Sequence, residues 1–196
     1  MPIPLYKFSA VLEMSDKTLF MRIVHAVVAV VQQMSVEPPN YPPDYSGPRA
    51  KRCPFLSGAI HKDTIWFGAL KDTNPLAVAI RMMEFSAQFQ ALEPVNDLVN
   101  RSAVILLPNF RRDPDHDFMT EIRRWLSVEH YLPRGLMLAL FDMGLEDSID
   151  GSVRELSFFV VRNMVLQDNE FLNKESDPEW REAALAAYQR LFGTAP

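Results

Sequence analysis

Glycine is scarce in this chain and never clustered. The 196 residues include only seven glycines, and no two of them lie closer than seven positions. Dinucleotide-binding and phosphate-binding loops need clustered glycines, because their turns are tight and the backbone approaches phosphate closely. The G-x-S-x-G turn of α/β-hydrolases likewise needs two glycines around its serine. The glycine pattern therefore excludes these three kinds of enzyme site.

Cysteine, long apolar runs and excess positive charge are also lacking. A single cysteine cannot form an internal disulfide, and the first residues lack the pattern of a secretory signal, so we expect a cytoplasmic location. The longest strongly apolar stretch, residues 23–31, is about half the ~18 residues of a membrane span. The net charge of −5 disfavours binding to nucleic-acid phosphates. We expect a small-molecule substrate, no nucleic-acid or membrane partner, and a homodimer as one candidate assembly.

Proline, by contrast, is abundant and concentrated in one segment. Six of the 15 prolines fall within residues 37–54. Proline fixes φ and keeps the preceding residue extended, so this segment is predicted to be a stiff, irregular arm. The length is that of one ordinary domain. We therefore interpret residues 1–196 as a single domain with a proline-rich arm.

The pattern of apolar residues predicts the order α, β, α, β, α, β, β, α. The predicted helices cover 15–34, 75–92 after an Asn74 cap, and 178 onward after Asp177. A further helix is predicted after the acidic stretch 113–117, running through Trp125 and Val128. The predicted strands cover 64–70, 103–107, 136–141 and 157–161. These strands are continuous apolar runs, which are typical of a sheet covered on both faces. The sequence therefore predicts a layered α/β or α+β domain around a four-stranded central sheet.

The only thiol belongs to Cys53, which lies at the end of the proline-rich arm. Lys51 and Arg52 precede it and favour the thiolate, which can serve as a nucleophile or as a ligand of haem iron. A lone cysteine is also commonly a small buried apolar residue. Both interpretations stay open from the sequence.

Two polar residues next to predicted strands are candidates for chemistry. His61 precedes the first strand as a loop residue and is the best placed of the four histidines for a ligand or general base. Arg162 follows the apolar run of the fourth strand, where a guanidinium needs a partner. That partner is either Asp168, in a structural role, or the carboxylate of a ligand.

Other side chains have a structural interpretation beside a functional one. Aromatic and methionine residues near the strands suit either a pocket for a flat ligand or the core: Phe55, Trp66, Phe67, Met137, Phe141, Phe158 and Phe159. The acids at 113, 115 and 117 are interpreted as residues just before a helix, where capping and the helix dipole favour them, rather than as metal ligands. His130 lies near a helix C-terminus, where the helix dipole favours an imidazolium.

Four segments, in this order, resemble a bacterial family of domains of unknown function. They are Arg52-Cys53-Pro54-Phe55, Arg134-Gly135-Leu136-Met137, Val161-Arg162-Asn163-Met164-Val165, and Asp168 leading to Phe171-Leu172. The resemblance covers about residues 48–193. That family is similar to the YqcI/YcgG proteins, small haem enzymes that include N-hydroxylases of guanidino groups. Asn163 and Asp142 stand where we expect histidine in relatives.

The resemblance implies a haem-dependent oxidative enzyme of bacterial specialised metabolism. It would act on nitrogen, by N-oxygenation or by N–O or N–N bond formation, in an amino-acid-derived substrate. Cys53 or His61 would ligate the iron, and Phe55, Trp66 and Phe159 would cover the porphyrin. Arg162 would hold a haem propionate or a substrate carboxylate.

Two alternatives stay open beside this hypothesis. The first is a non-catalytic binding module whose proline-rich arm and final helix form an interface. The second is a cofactor-free enzyme that acts on a small acidic metabolite through Cys53, His61 and Arg162.

Overall fold

Five strands form one mixed sheet in the computed structural model of the chain. The structure describes residues 2–13, 56–92, 99, 101–110, 112–146, 153–172 and 177–193. The helix predicted at 15–34, the proline-rich arm, Cys53 and Phe55 lie outside the described residues.

The predicted mixed α/β class is confirmed, with one strand more than expected. The strands are β1 (Tyr6–Lys7), β2 (Ile65–Ala69), β3 (Ser102–Leu107), β4 (Leu136–Glu146) and β5 (Val153–Asn163). Their order across the sheet is β1-β2-β3-β5-β4. Only β2 and β3 pair in parallel, and the other neighbours are antiparallel. The extra strand is β1, whose two residues are too few to form a sequence pattern.

Six α-helices surround the described part of this sheet. They are α1 (Phe8–Glu13), α2 (Leu56–His61), α3 (Pro75–Gln90), α4 (Arg112–Leu126), α5 (Asn169–Leu172) and α6 (Pro178–Phe192). A π-helical turn (Ser127–Tyr131) and a 3₁₀ turn (Leu132–Arg134) follow α4. Among the described helices, none has the length and apolar character needed to cross a membrane.

Side-chain caps start two of these helices where the sequence predicts. The Asn74 side chain accepts a hydrogen bond from the backbone N–H of Leu76, at 2.8 Å, at the start of α3. The Asp177 carboxylate accepts from the backbone N–H groups of Glu179 and Trp180, both at 3.1 Å, at the start of α6. Because capping depends only on nearby residues, these helix starts can be read from the sequence alone.

The sheet separates two apolar clusters. One side, here called the Trp66 face, packs against α3 and α4 and carries Trp66, Ala103, Ile105, Phe159 and Val161. The opposite side, here called the His61 face, packs against α1 and α2 and carries Ile65, Phe67, Val104, Leu106 and Phe158. Helices thus cover both faces, as the continuous apolar runs predict.

A third cluster lies where α6 packs against the 3₁₀ turn before β4 and against the residues that follow β5. It comprises Leu132, Met164, Leu172, Trp180, Ala184, Ala187 and Tyr188. The buried side chains of α6 are Trp180, Ala184, Ala187 and Tyr188, whereas Leu191 is 47% exposed. Leu191 lies in the last turn of α6, where its Cδ1 reaches Gly135 and the cluster ends.

The N-terminal residues cross the sheet at Gly68. A Cβ atom at Gly68 would lie 2.9 Å from the carbonyl oxygen of Pro4 and 3.0 Å from side-chain atoms of Ile3 and Leu5. On the other side of this segment, Gln88 of α3 donates to the Ile3 carbonyl at 2.7 Å and accepts from the Ile3 N–H at 2.9 Å. The segment is therefore fixed between β2 and α3, and the close approach requires glycine in β2.

We expect Gly68→Ala to lower the free energy of unfolding by about 1–3 kcal/mol, the usual cost of overpacking. The clash is with the backbone of Pro4, which cannot rotate away as a side chain would. Urea unfolding followed by circular dichroism measures the change. The same substitution in a chain that starts at Tyr6 should cost less, because the contact is absent. Unchanged stability of the full-length variant would contradict this packing.

Candidate functional site

The strand register brings two predicted site residues to one end of the sheet. Ile65 on β2 pairs with Ser102 on β3, and Ser102 pairs with Arg162 on β5. Paired residues share a face, so Arg162 lies on the His61 face, two strand spacings or about 10 Å from Ile65. His61 ends α2 four residues before Ile65 and is exposed. Arg162 and His61 therefore share both a face and an end of the sheet.

A tight turn connects His61 to β2. The Asp63 N–H donates to the Ile60 carbonyl at 3.1 Å, and the Thr64 N–H donates to the Ala59 carbonyl at 2.8 Å. Asp63 has a φ of 49°, in the left-handed region that aspartate tolerates better than most residues. Its carboxylate accepts from the N–H and hydroxyl of Ser9 in α1, at 3.2 and 2.8 Å. The backbone beside His61 is thus anchored to α1, and His61 belongs to a helix rather than to the expected loop.

Arg162 forms a two-pronged ion pair with Asp168. The Arg162 Nη1 and Nη2 groups donate to Oδ2 and Oδ1 of Asp168, at 2.8 and 2.5 Å. Asp168 is completely buried and also accepts from the Val165 N–H at 2.8 Å. This contact matches the structural interpretation that the sequence left open for Arg162. A catalytic role for Arg162 stays a prediction.

A second buried guanidinium, which the sequence analysis did not select, lies at the same end of the sheet. Arg101 precedes β3 and is 3% exposed. It donates to the Leu92 carbonyl at 2.8 Å and to Oδ1 of Asn163 at 3.1 Å, and its guanidinium lies 5.1 Å from the centre of the Phe89 ring. Asn163 stands where histidine was expected in relatives, and its side chain accepts a hydrogen bond from Arg101. The sequence could have indicated Arg101 as a candidate, since it adjoins an apolar strand just as Arg162 does.

Trp66 and Phe159 do not lie beside His61. They are 6% and 0% exposed and belong to the core of the Trp66 face. The sheet lies between them and α2, so these two residues do not fit the predicted role of covering a porphyrin bound by His61. On the His61 face, Phe141 stacks on Phe158 with ring centres 5.5 Å apart, and Phe141 is 39% exposed.

The acidic segment at 113–117 lies inside the first turns of α4, so this helix begins at Arg112, before the acids rather than after them as predicted. Across the described ranges, no group of three or more histidine, cysteine, aspartate or glutamate residues is placed to hold a metal ion.

His130 lies in the π-helical turn, and its ring contacts Trp125 edge-on with centres 5.0 Å apart. Burial, followed by the positive charge of Arg134, lowers the pKa of His130 below its usual 6.5. The expectation of a favoured imidazolium is therefore wrong. Desolvation of the charged form and the like charge of Arg134 lower the pKa, and the smaller opposite effect of Glu129 does not restore it.

The lowered pKa of His130 predicts that acid destabilises the fold. Below pH 6.5 the unfolded chain binds a proton at this histidine more readily than the folded protein does, so stability falls from there toward the folded pKa. We expect His130→Gln to flatten this part of the stability curve in urea unfolding at a series of pH values. Arg134→Gln should raise the pKa of His130 in an NMR titration. Equal slopes for the wild type and His130→Gln would contradict the assignment.

Removing Arg162 should leave Asp168 buried without its counter-charge. We expect Arg162→Met to lower the free energy of unfolding by about 3–5 kcal/mol, as when one partner of a buried pair is lost. Adding Asp168→Asn should recover part of the loss, because the amide is neutral. As a control, Arg181→Met changes an exposed arginine of α6 and should cost at most about 1 kcal/mol, since contacts of exposed charges contribute little. Equal effects at positions 162 and 181 in urea unfolding would contradict a structural ion pair.

Comparison with known protein families places most of the chain in one of them. A family described as a domain of unknown function (DUF6875) matches residues 42–196. No curated protein and no solved structure matches the chain. The matched range contains every described element from α2 to α6, with His61, Arg101 and Arg162, whereas β1 and α1 precede it. The chain therefore belongs to the DUF6875 family.

Proposed function

We propose that this chain is a haem-dependent oxidative enzyme that acts on nitrogen in an amino-acid-derived substrate. The proposal rests on the resemblance to the YqcI/YcgG proteins and on the position of His61. It concerns the His61 face of the sheet, since Trp66 and Phe159 lie in the core of the opposite face.

The observation that carries the proposal is the exposed imidazole of His61 at the end of α2. This helix has six residues and is about 9 Å long, and Cys53 precedes it by three residues in the sequence. His61 thus lies on the His61 face, and the other predicted iron ligand, Cys53, is close to α2 in the sequence. An exposed imidazole can bind iron through a ring nitrogen without breaking a core contact.

The described residues have separate roles in this proposal. His61 would donate a nitrogen lone pair to the iron, and Asp63, hydrogen-bonded to Ser9, would fix the backbone that orients its imidazole. Phe141, although partly exposed on the same face, is not beside His61: it pairs with Phe158, which pairs through Leu106 with Ala69 at the far end of β2. Haem, when bound, would supply the activation of the oxidant.

Absorption spectroscopy tests the proposal directly. Protein purified from cells supplied with a haem precursor should show a Soret band close to stoichiometric with the chain. One of two substitutions, His61→Ala or Cys53→Ala, removes the iron ligand. We expect that substitution to shift or abolish the Soret band. His116→Ala changes a histidine of α4, on the opposite side of the sheet, and should leave the band unchanged.

A folded sample without a Soret band would contradict the proposal. Two candidates would then remain, the cofactor-free enzyme and the binding module that uses the proline-rich arm and the final helix. The exposure of Leu191 and Phe192 at the end of α6 favours the binding module.

A further inference from the structure

A groove lies between the N-terminal segment and α3, apart from the residues that the sequence analysis selected. It has a volume of about 310 Å³ and is lined by Pro2, Ile3, Arg81, Glu84, Phe85 and Gln88. Ligand pockets in proteins start at roughly this volume, so the groove suits a small molecule. Ile3 and Phe85 belong to the core of the Trp66 face, which places the groove at the edge of that core.

Arg81 is the positively charged residue in this groove. Its side chain is partly buried, and its Nε–H is buried without a hydrogen-bond acceptor. Within the described part of the chain, Arg81 forms no ion pair and no hydrogen bond. A buried donor without a partner is destabilising, more so on a charged group. An anion in the groove would supply the missing acceptor.

The other walls limit the kind of anion. The side-chain amide of Gln88 already exchanges two hydrogen bonds with the backbone of Ile3. Phe85 and Ile3 are buried apolar residues, and Pro2 adds apolar surface. Among the described residues of the lining, Arg81 alone carries a positive charge, so it pairs with a single anionic group. The groove therefore suits one anionic group joined to a short apolar body.

We infer that this groove binds a small monocarboxylate, whose carboxylate pairs with the guanidinium of Arg81. A guanidinium presents its N–H groups in a planar fork that matches the two oxygens of a carboxylate. The apolar part of the ligand lies along Pro2, the exposed apolar residue of the lining. This site involves neither His61 nor Arg162, so it does not depend on the proposed haem chemistry.

The groove is preformed because both of its sides are anchored. Gln88 fixes Ile3 to α3, and Gly68 allows Ile3 and Pro4 to pack directly on β2. Little ordering is needed when a ligand binds, and preorganisation of this kind strengthens binding. Pro2 and Ile3 precede the range that matches the family, so one wall of the site comes from outside the matched domain.

Two matched small molecules test the inference by NMR. Hexanoate carries one carboxylate on an apolar chain, and hexanamide has the same shape without the charge. We expect hexanoate to shift the backbone resonances of Ile3, Phe85 and Gln88 in a saturable manner, in protein without haem. Hexanamide should bind at least about tenfold more weakly, because it cannot pair with Arg81. Equal binding of the two compounds, or no saturable shifts at 50 mM hexanoate, would overturn the inference.

Substitutions assign the binding to Arg81 itself. Arg81→Gln should weaken hexanoate binding at least about tenfold, and Arg81→Lys should restore part of it, since the charge returns without the fork. Arg181→Gln removes an equal charge from the exposed side of α6 and should leave binding unchanged. Circular dichroism identifies any variant that fails to fold. Binding that survives Arg81→Gln, or that Arg181→Gln weakens to the same extent, would overturn the assignment.

Discussion

The pairing of β3 with β2 on one side and with β5 on the other is the constraint on which the rest of the structure depends. Ala103 to Leu107 are at most 1% exposed, so every residue of this run contacts protein on one face or the other. A register shift of one residue would move each of these side chains to the opposite face. The register is thereby fixed, and it decides which residues of the neighbouring strands share a face.

The same register decides what the candidate site contains. It places Arg162 at the end of the sheet where β2 begins, near His61, and it places Trp66 and Phe159 on the opposite face. The charged residues at the sheet end are held by partners within the fold, Arg162 by Asp168 and Arg101 by Asn163. Arg81 lies apart from these residues, in a groove formed with the N-terminal segment, and its Nε–H, like that of Arg101, is buried without an acceptor.

Caps and apolar runs, which involve residues near one another in the sequence, predicted the helices and strands. The face of the sheet on which a strand residue lies depends instead on pairing between strands that are distant in the sequence. The caps at Asn74 and Asp177 and the apolar runs of β2 and β3 can be read directly from the sequence. The two residues of β1 cannot, because their pairing with β2 alone makes them a strand. A strand buried on both sides lacks alternation, so the sequence did not indicate which face Trp66 and Phe159 occupy.

The Asp168 partner of Arg162 was foreseen as one option because a buried charge needs a counter-charge. The groove at Arg81 was missed because it depends on contacts with residues far away in the chain.

The separation of His61 from Trp66 and Phe159 by the sheet can be measured by NMR. In a methyl-labelled sample, the Ala59 methyl of α2 should show nuclear Overhauser effects to side chains of the His61 face, such as those of Ile65 and Phe67. It should show none to Trp66 or Phe159, which lie behind the sheet. Nuclear Overhauser effects from Ala59 to Trp66 or Phe159 would place α2 on the other face and contradict the fold described above.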